Sequence, residues 1–500
     1  MILAILCVGT MTMPNSLYTG DTNAMQAEAN SILHGKLSIE ASFASNFGRA
    51  GKFFVKNVNN SRYYSKYGIM NSIFFLPPLM VMELFTDQVS LPMNTSEIKL
   101  IIFNCYYIFM SIVLAITLFY ILSYYTTNNA LKMVYALSCL YCTFLWNYTR
   151  AHTGEILQVL LFSCLFMSCL EIHRIFMREK KISRKYACIS WLLILFLTLQ
   201  RMSFGTLAPS FIVLMILMLR EFGDLVLKDA IRVTLSRSYL PLMVFFAVLA
   251  INNYFKFGGI TNTGYFMWQP NYHQPLFGDL FNNLLDLISH PRWSIFLLFI
   301  PFLFSMFFIK RFAKDHLFDY LILIILVIPN VLLLLSSNNW QGEMCYGPRL
   351  FLFFMPVASI PVFYFLSLTY KTHSFKNVCV IILFAMGLSL GYKNQVTVNY
   401  FPFFYDYSFI RNSRIPAEVR AYWERRSFAD SVSEMKKFVN KSNSSQVLLS
   451  FQLSYVNEEE INKERKALAW VMGNVSPNYY FLFAQKNLNP IYFADEEFQK

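Results

Sequence analysis

The chain has 500 residues, 56% of them hydrophobic and only 14% charged, where a soluble domain carries roughly 25% charged residues. Apolar runs of about 20 residues, enough to span a ~30 Å hydrocarbon core, recur from Leu100 through Phe384, and most are apolar all round rather than amphipathic. The composition therefore excludes an ordinary soluble fold. The net charge of +13 does not indicate a nucleic-acid partner, because the basic residues cluster between apolar runs. Arg174, Arg178, Lys180, Lys181, Arg184 and Lys185 form one cluster. Lys310, Arg311 and Lys314 form a second, and Lys371 and Lys376 a third. That is the pattern of cytoplasmic anchors facing an anionic leaflet.

In chain order the pattern predicts spans at 2–14, 100–123, 131–147, 154–172, 186–203, 205–219, 239–255, 293–309, 317–336, 350–370 and 377–391. The expected fold class is an all-α polytopic membrane protein of about eleven transmembrane helices. The first stretch is short and has no basic residue before it. It lacks the n-region of a signal peptide and reads as a shortened first helix or as one whose start lies further upstream. An N-terminus inside puts the basic loops after Glu171, Leu219, Ile309 and Tyr370 on the cytoplasmic side. Four segments then face outward: Asn15 to Lys99, about Lys256 to Arg292, Ser337 to Arg349, and the tail after Gly391. These are long, aromatic and polar, so the chemistry is expected there.

The first outer segment, 15–99, is expected to carry interfacial helices. Asp21 can cap a helix through Leu33, with Met25, Ile32 and Leu33 on one side and Gly35 as its stop. It should lie along the membrane surface. Tyr63 to Gly68 leads into Ile73 to Phe85, where Pro77 and Pro78 interrupt the run and suggest a re-entrant or interfacial helix. Residues 1–391 form the transmembrane domain. Residues 392–500 read as a small α/β extracytoplasmic tail, with helices at Ala429 to Val439 and Glu458 to Met472 and strands at Val447 to Val456 and Tyr479 to Ala484.

Few residues offer chemistry. The Cys139–Cys142 pair lies inside an apolar helix and reads as structural, whereas Cys345 falls in a polar loop. His152, His273 and His290 lack metal-ligand spacing, and Glu458 to Glu460 reads as a solvated helix start. Ionisable groups at the outer ends of membrane helices are costly to place and often functional. Here these are Asp21, Arg150, Glu155, Arg201 and Arg349, joined by Lys66 and Arg62 from the first loop. The set suits an anionic lipid head group, with a carboxylate for proton transfer or metal binding. Each has a plainer reading. Asp21 serves as an N-cap. Arg150 and Glu155 pair with each other. Arg201 and Arg349 snorkel to the interface, and Lys66 is an interfacial lysine.

Several words resemble the GT-C superfamily of polyprenyl-phosphate-sugar-dependent glycosyltransferases, most closely its bacterial branch near protein O-mannosyltransferases and aminoarabinose transferases. They are Gly20-Asp21 with a helix ending Leu33-His34-Gly35-Lys36-Leu37, Tyr64-Ser65-Lys66-Tyr67-Gly68, and Tyr148-Thr149-Arg150 with Glu155. The middle loop adds Asn253 to Gly258 and Thr263-Gly264-Tyr265, and the late outer motif adds Tyr346-Gly347-Pro348-Arg349. The resemblance implies a GT-C helical bundle that moves a sugar from a polyprenyl phosphate to a glycan, lipid or protein hydroxyl, with inversion. It implies Asp21 as the catalytic base, with Arg349, Arg201, Lys66 and Arg150 on the donor phosphate. Tyr64, Tyr67, Tyr265 and Tyr346 would line the cavity. One departure stands out: Thr22 follows Asp21 where the family often has a second acid. A divalent cation would then need Glu28 or Glu155 as the second acid. The competing readings are a transporter or flippase of lipid-linked saccharides, a polysaccharide polymerase or ligase, and a structural scaffold. A flippase usually shows repeats and broken helices in both halves, and no repeat is visible.

Overall fold

The structure, a computed structural model, describes residues 1–13, 20–41, 53–88, 95–150, 152–268, 279–289, 294–337, 340, 348–369 and 375–400. The chain opens with α1 (Ile2–Met11), and the first outer segment then contributes α2 (Gly20–Leu33), β1 (Phe54–Lys56), β2 (Tyr63–Ser65), α3 (Ile69–Phe74) and α4 (Leu76–Gln88). The bundle continues with α5 (Thr95–Leu122), α6 (Asn129–Tyr141), α7 (Leu145–Arg150), α8 (Glu155–Glu179) and α9 (Arg184–Gln200). A 3-10 turn, Met202–Thr206, leads into α10 (Leu207–Gly223) and α11 (Leu227–Phe257). Then come α12 (Gly264–Trp268), α13 (Leu280–Ser289), α14 (Ile295–Leu298), α15 (Ile300–Asp315) and α16 (Leu317–Leu335). A second 3-10 stretch, Arg349–Phe354, opens α17 (Met355–Ala358), α18 (Ile360–Thr369) and α19 (Phe375–Tyr400).

All eleven expected stretches are helical, and the chain is an all-α polytopic membrane protein. Among the described residues, six helices are long and apolar enough to cross a membrane: Ile98–Leu122, Glu155–Glu179, Met202–Gly223, Leu227–Phe257, Leu317–Leu335 and Arg349–Thr369. Burial sorts them. Arg349–Thr369 and α8 have 89% and 78% of their apolar windows inside the protein, so they are the core. For α11 the share is 22%, so it is a peripheral helix whose exposed Leu240, Met243, Phe246 and Ile251 suit lipid.

Several expected spans are divided, and two of the breaks meet. The run 131–147 divides into α6 and α7 at Cys142–Phe144, and 293–309 divides at Phe299. Thr143 pairs with Phe299 in an isolated bridge, and the Phe144 N–H donates to the Leu298 carbonyl at 3.1 Å. The Thr143 hydroxyl donates to Cys139 O at 2.6 Å and accepts from the Leu145 N–H at 3.2 Å. Irregular backbone at membrane depth persists only where its polar groups are satisfied within protein, and these two breaks satisfy each other. α11 begins at Leu227, twelve residues before the expected start. Its first turns carry Lys228 and Arg232, whose polarity hid the helix from an apolar-run reading. α19 runs without a break through the expected boundary at 391/392. The tail elements proposed between 429 and 484 lie outside the described residues.

The first outer segment differs from expectation in three ways. Residues 53–65 form an antiparallel hairpin, with Phe54 opposite Ser65 and Lys56 opposite Tyr63. Asn57 Oδ1 accepts from the Asn59 and Asn60 N–H groups at 2.7 and 3.3 Å, an Asx turn. Pro77 and Pro78 do not interrupt a helix. They sit in the first turn of α4, after a bend at Phe75, where the missing N–H costs nothing. The helix through Leu33 is present, and Gly35 follows it at φ +73°. It does not simply lie on a surface: Thr22, Ala24, Met25, Gln26, Glu28 and Ala29 are all buried. α2 is wedged against α3, α4 and β2 as an inner layer over the bundle.

Candidate functional site

The turn between α7 and α8 organises the site. His152 sits at φ +49°, fully buried, with Nε2 2.8 Å from Asn104 Oδ1 on α5. Burial, followed by the adjacent Arg150 charge, pushes its imidazole down to about 3, so it is neutral. The Tyr107 hydroxyl donates to Thr153 O at 2.7 Å. The Thr22 hydroxyl donates to His152 O at 2.9 Å. Thr22, which stands where the resemblance leads one to expect an acid, thus pins the start of α2 to this turn.

A cleft of about 420 Å³, mouth included, opens beside it. Met25 of α2 contributes one wall, and Tyr67 and Asn71 of the segment entering α3 contribute another. Thr153, Gly154, Glu155 and Gln158 come from the start of α8, and Gln200 and Arg201 from the end of α9. Tyr265 of α12 and Arg349 complete the lining. Met25, Tyr67, Asn71, Tyr265 and Arg349 come from segments expected to face outward, and Glu155 and Arg201 from helix ends expected on the same side.

Close approach of three segments holds the walls. A Cβ on Gly68 would meet the Leu199 carbonyl at 2.0 Å, and one on Gly154 would meet Asn71 Oδ1 at 2.1 Å. No side chain fits at either place. Gln200 Nε2 donates to Asn71 Oδ1 at 3.0 Å and to Gly154 O at 2.6 Å, and Asn71 Nδ2 donates to Gln200 O at 3.1 Å. One amide network therefore ties together the first loop, the α8 turn and the end of α9.

The expected site residues divide into groups. Glu155, Arg201, Arg349, Tyr67 and Tyr265 share the cleft. Glu155 does not pair with Arg150. Its Oε1 lies 3.6 Å from Arg349 Nη1, both side chains being nearly buried. The left-handed turn at His152 separates α7 from α8, so Arg150 and Glu155 do not share a helical register. The Arg150 Nε donates to Thr12 O, and the side chain lines a separate cavity of about 320 Å³ with Ile5, Tyr107, Tyr141 and Trp146.

Lys66 is buried behind the cleft. Its Nζ lies 5.2 Å and 5.3 Å from the ring centroids of Tyr67 and Tyr265 and 5.8 Å from that of Phe53, within cation–π range. Tyr67 and Tyr265 meet edge to face at 5.9 Å. Tyr64 is buried in β2, where its hydroxyl accepts from Asn60 Nδ2 at 3.3 Å.

Glu28 lies one layer deeper, in an ion pair that the sequence did not suggest. Lys256 Nζ is 2.8 Å from Glu28 Oε1 and 3.0 Å from Oε2, and it donates to Tyr67 O at 2.8 Å. The Ser72 hydroxyl donates to Glu28 Oε2 at 2.6 Å. Asp21 is the second residue of α2, one turn before the cleft-lining Met25. The Asp21 side chain is outside the described part of the structure. Tyr346, Cys345, His273 and His290 are outside the described residues.

No three His, Cys, Asp or Glu side chains converge among the described residues, and Glu155, the carboxylate they bring to the cleft, faces a guanidinium.

No family model matches the sequence, and no curated protein matches it either. Solved structures do. The Archaeoglobus fulgidus oligosaccharyltransferase in its apo form aligns with a TM-score of 0.50 at 12% identity, over 85% of this chain and 59% of that one. The same enzyme in complex with Zn and sulfate aligns with a TM-score of 0.50 at 10% identity, over 96% of this chain and 57% of that one. The chain thus spans less than two thirds of that protein's length. At such identity the likeness is one of fold alone. The chain is an all-α polytopic membrane protein with a fold like that of this oligosaccharyltransferase.

Proposed function

We propose that this protein is a membrane glycosyltransferase that moves a sugar from a polyprenyl-phosphate donor to an acceptor hydroxyl, on the extracytoplasmic side and with inversion. One observation carries the reading: Arg201, Arg349 and Glu155 come from three separate parts of an apolar chain and line one cleft. Ionisable groups in such a setting are costly to place. A scaffold would have no use for their convergence, whereas a departing lipid phosphate does.

The chemistry follows from the placement. The acceptor oxygen attacks the anomeric carbon while the bond from that carbon to the phosphate oxygen breaks, and the bonding pair leaves with the phosphate. Arg201 and Arg349 face the negative charge that develops on the leaving group. Glu155 holds the Arg349 guanidinium toward the cleft. The hydroxyl proton goes to Asp21, the second residue of α2. Lys66 fixes Tyr67 and Tyr265 at the mouth through their ring faces. The bacterial branch near the O-mannosyltransferases and aminoarabinose transferases is the proposed affiliation. It rests on the loop words.

The test is purified protein in proteoliposomes with a labelled polyprenyl-phosphate hexose and a panel of glycan, lipid and peptide acceptors. The reading predicts label on an acceptor and free polyprenyl phosphate. Movement of intact donor between leaflets, with no phosphate freed, would make the protein a flippase instead.

A further inference from the structure

The cleft lining carries two kinds of group. Arg201 and Arg349 are cationic. Other lining residues present oxygen atoms. Gln200 is nearly buried, and its Nε2 is committed to Asn71 Oδ1 and Gly154 O, which fixes the amide so that Oε1 is an acceptor. That Oε1 has no hydrogen-bond partner among the described residues. The same holds for Gln158 Oε1, Thr153 Oγ1 and Glu155 Oε2, all buried and all belonging to residues that line the cleft. Buried acceptors left without donors are costly. Four around one cleft mark a surface that is completed by something bringing hydrogen-bond donors.

The charge of the cleft decides what kind of donor. An ammonium group or a metal ion would sit beside two guanidinium groups, and Glu155 is already engaged with Arg349. Neutral hydroxyls meet the oxygens without that repulsion. They must also lie next to a phosphate, because Arg201 and Arg349 line the same cleft. A sugar attached to a phosphate carries both features.

Resting on the glycosyltransferase reading, we infer that Gln158, Gln200 and Thr153 form the subsite that reads hydroxyl groups of the transferred sugar. They set donor specificity, while Arg201 and Arg349 bind the phosphate regardless of the sugar. A site built to hydrogen-bond a hydroxyl rejects the analogue that lacks it far more strongly than an apolar pocket can.

The experiment compares a polyprenyl-phosphate hexose with its monodeoxy analogues, reading kcat/KM for the purified wild type and for Gln158→Met and Gln200→Met. Competition by sugar-free polyprenyl phosphate is measured alongside. The wild type should prefer the full hexose over at least one deoxy donor by about ten-fold or more. Gln158→Met should lose most of that preference while polyprenyl phosphate competes as before. Gln200→Met also removes two structural hydrogen bonds, so Gln158→Met decides if that variant fails to fold. A Gln158→Met enzyme that is slower with every donor, yet keeps the wild-type preference, would overturn the subsite and leave the glycosyltransferase reading intact. A folded wild type that releases no phosphate from any donor would overturn both.

Discussion

Replacing Lys256 by Met tests how the outer layer is held on the bundle. Lys256 and Glu28 are 3% and 1% exposed, and the Lys256 ammonium has three acceptors within 3.0 Å. Its loss leaves Glu28 a buried anion with the Ser72 hydroxyl as its remaining described hydrogen-bond donor. Breaking a buried pair from one side costs about 3–5 kcal/mol. That shifts the docking equilibrium of α2 and β2 on α11 by two to three and a half orders of magnitude at roughly 1.4 kcal/mol per decade. Glu28→Gln together with Lys256→Met removes both charges and should recover most of the loss, since replacing a whole pair is often neutral. Limited proteolysis of detergent-solubilised protein, read at the 53–65 hairpin, gives the docked fraction, and thermal unfolding gives the global effect. A single Lys256→Met variant as resistant as wild type would refute the argument, and so would a double variant worse than the single.

Other expectations are simpler to state. Asp21→Asn should fold and bind donor normally but turn over about 10²-fold or more slowly in the transfer assay; full turnover would remove Asp21 as base. Arg349→Met should reduce turnover by about 10²–10³-fold, and Arg349→Lys should restore only part of it, because an ammonium cannot match the planar fork. His152 has its titration pushed down to about 3 by burial and Arg150, so the unfolded chain binds more protons between its ordinary value near 6.5 and about 3. Stability should therefore fall as pH drops through that window and be complete above it. His152→Asn, which tolerates the positive φ, should flatten this dependence in thermal melts. In a cysteine-depleted protein, Asn60→Cys should react with an impermeant maleimide in intact cells and Lys181→Cys only after lysis; the opposite result would reverse the proposed orientation.

What could be read from the sequence depended on contrast. Arg201, Arg349 and Glu155 stood out because a charge in an apolar chain is rare, and all three reached the cleft. Gln158, Gln200 and Asn71 did not, because a neutral amide at the end of an apolar run leaves no pattern. Lys256 was visible at the end of its span, but its partner lies 228 residues away, and no local spacing connects them. Arg150 and Glu155 looked paired because they lie close together between two expected spans, but across the left-handed turn at His152 they line different cavities. The hairpin did have a signal, an Asn-rich turn between aromatic and β-branched residues, which the search for apolar helices passed over. The breaks at Thr143 and Phe299 are legible only together, since each supplies the hydrogen bonds the other lacks.

The central claim is that the cleft transfers sugar and frees lipid phosphate. The most direct measurement is the stoichiometry of a single incubation of purified protein with a doubly labelled polyprenyl-phosphate sugar, counting sugar on the acceptor and polyprenyl phosphate released. The account predicts a ratio of about one to one, with both products lost together in Arg349→Met. Donor that stays intact on a folded protein across the whole sugar and acceptor panel would contradict it.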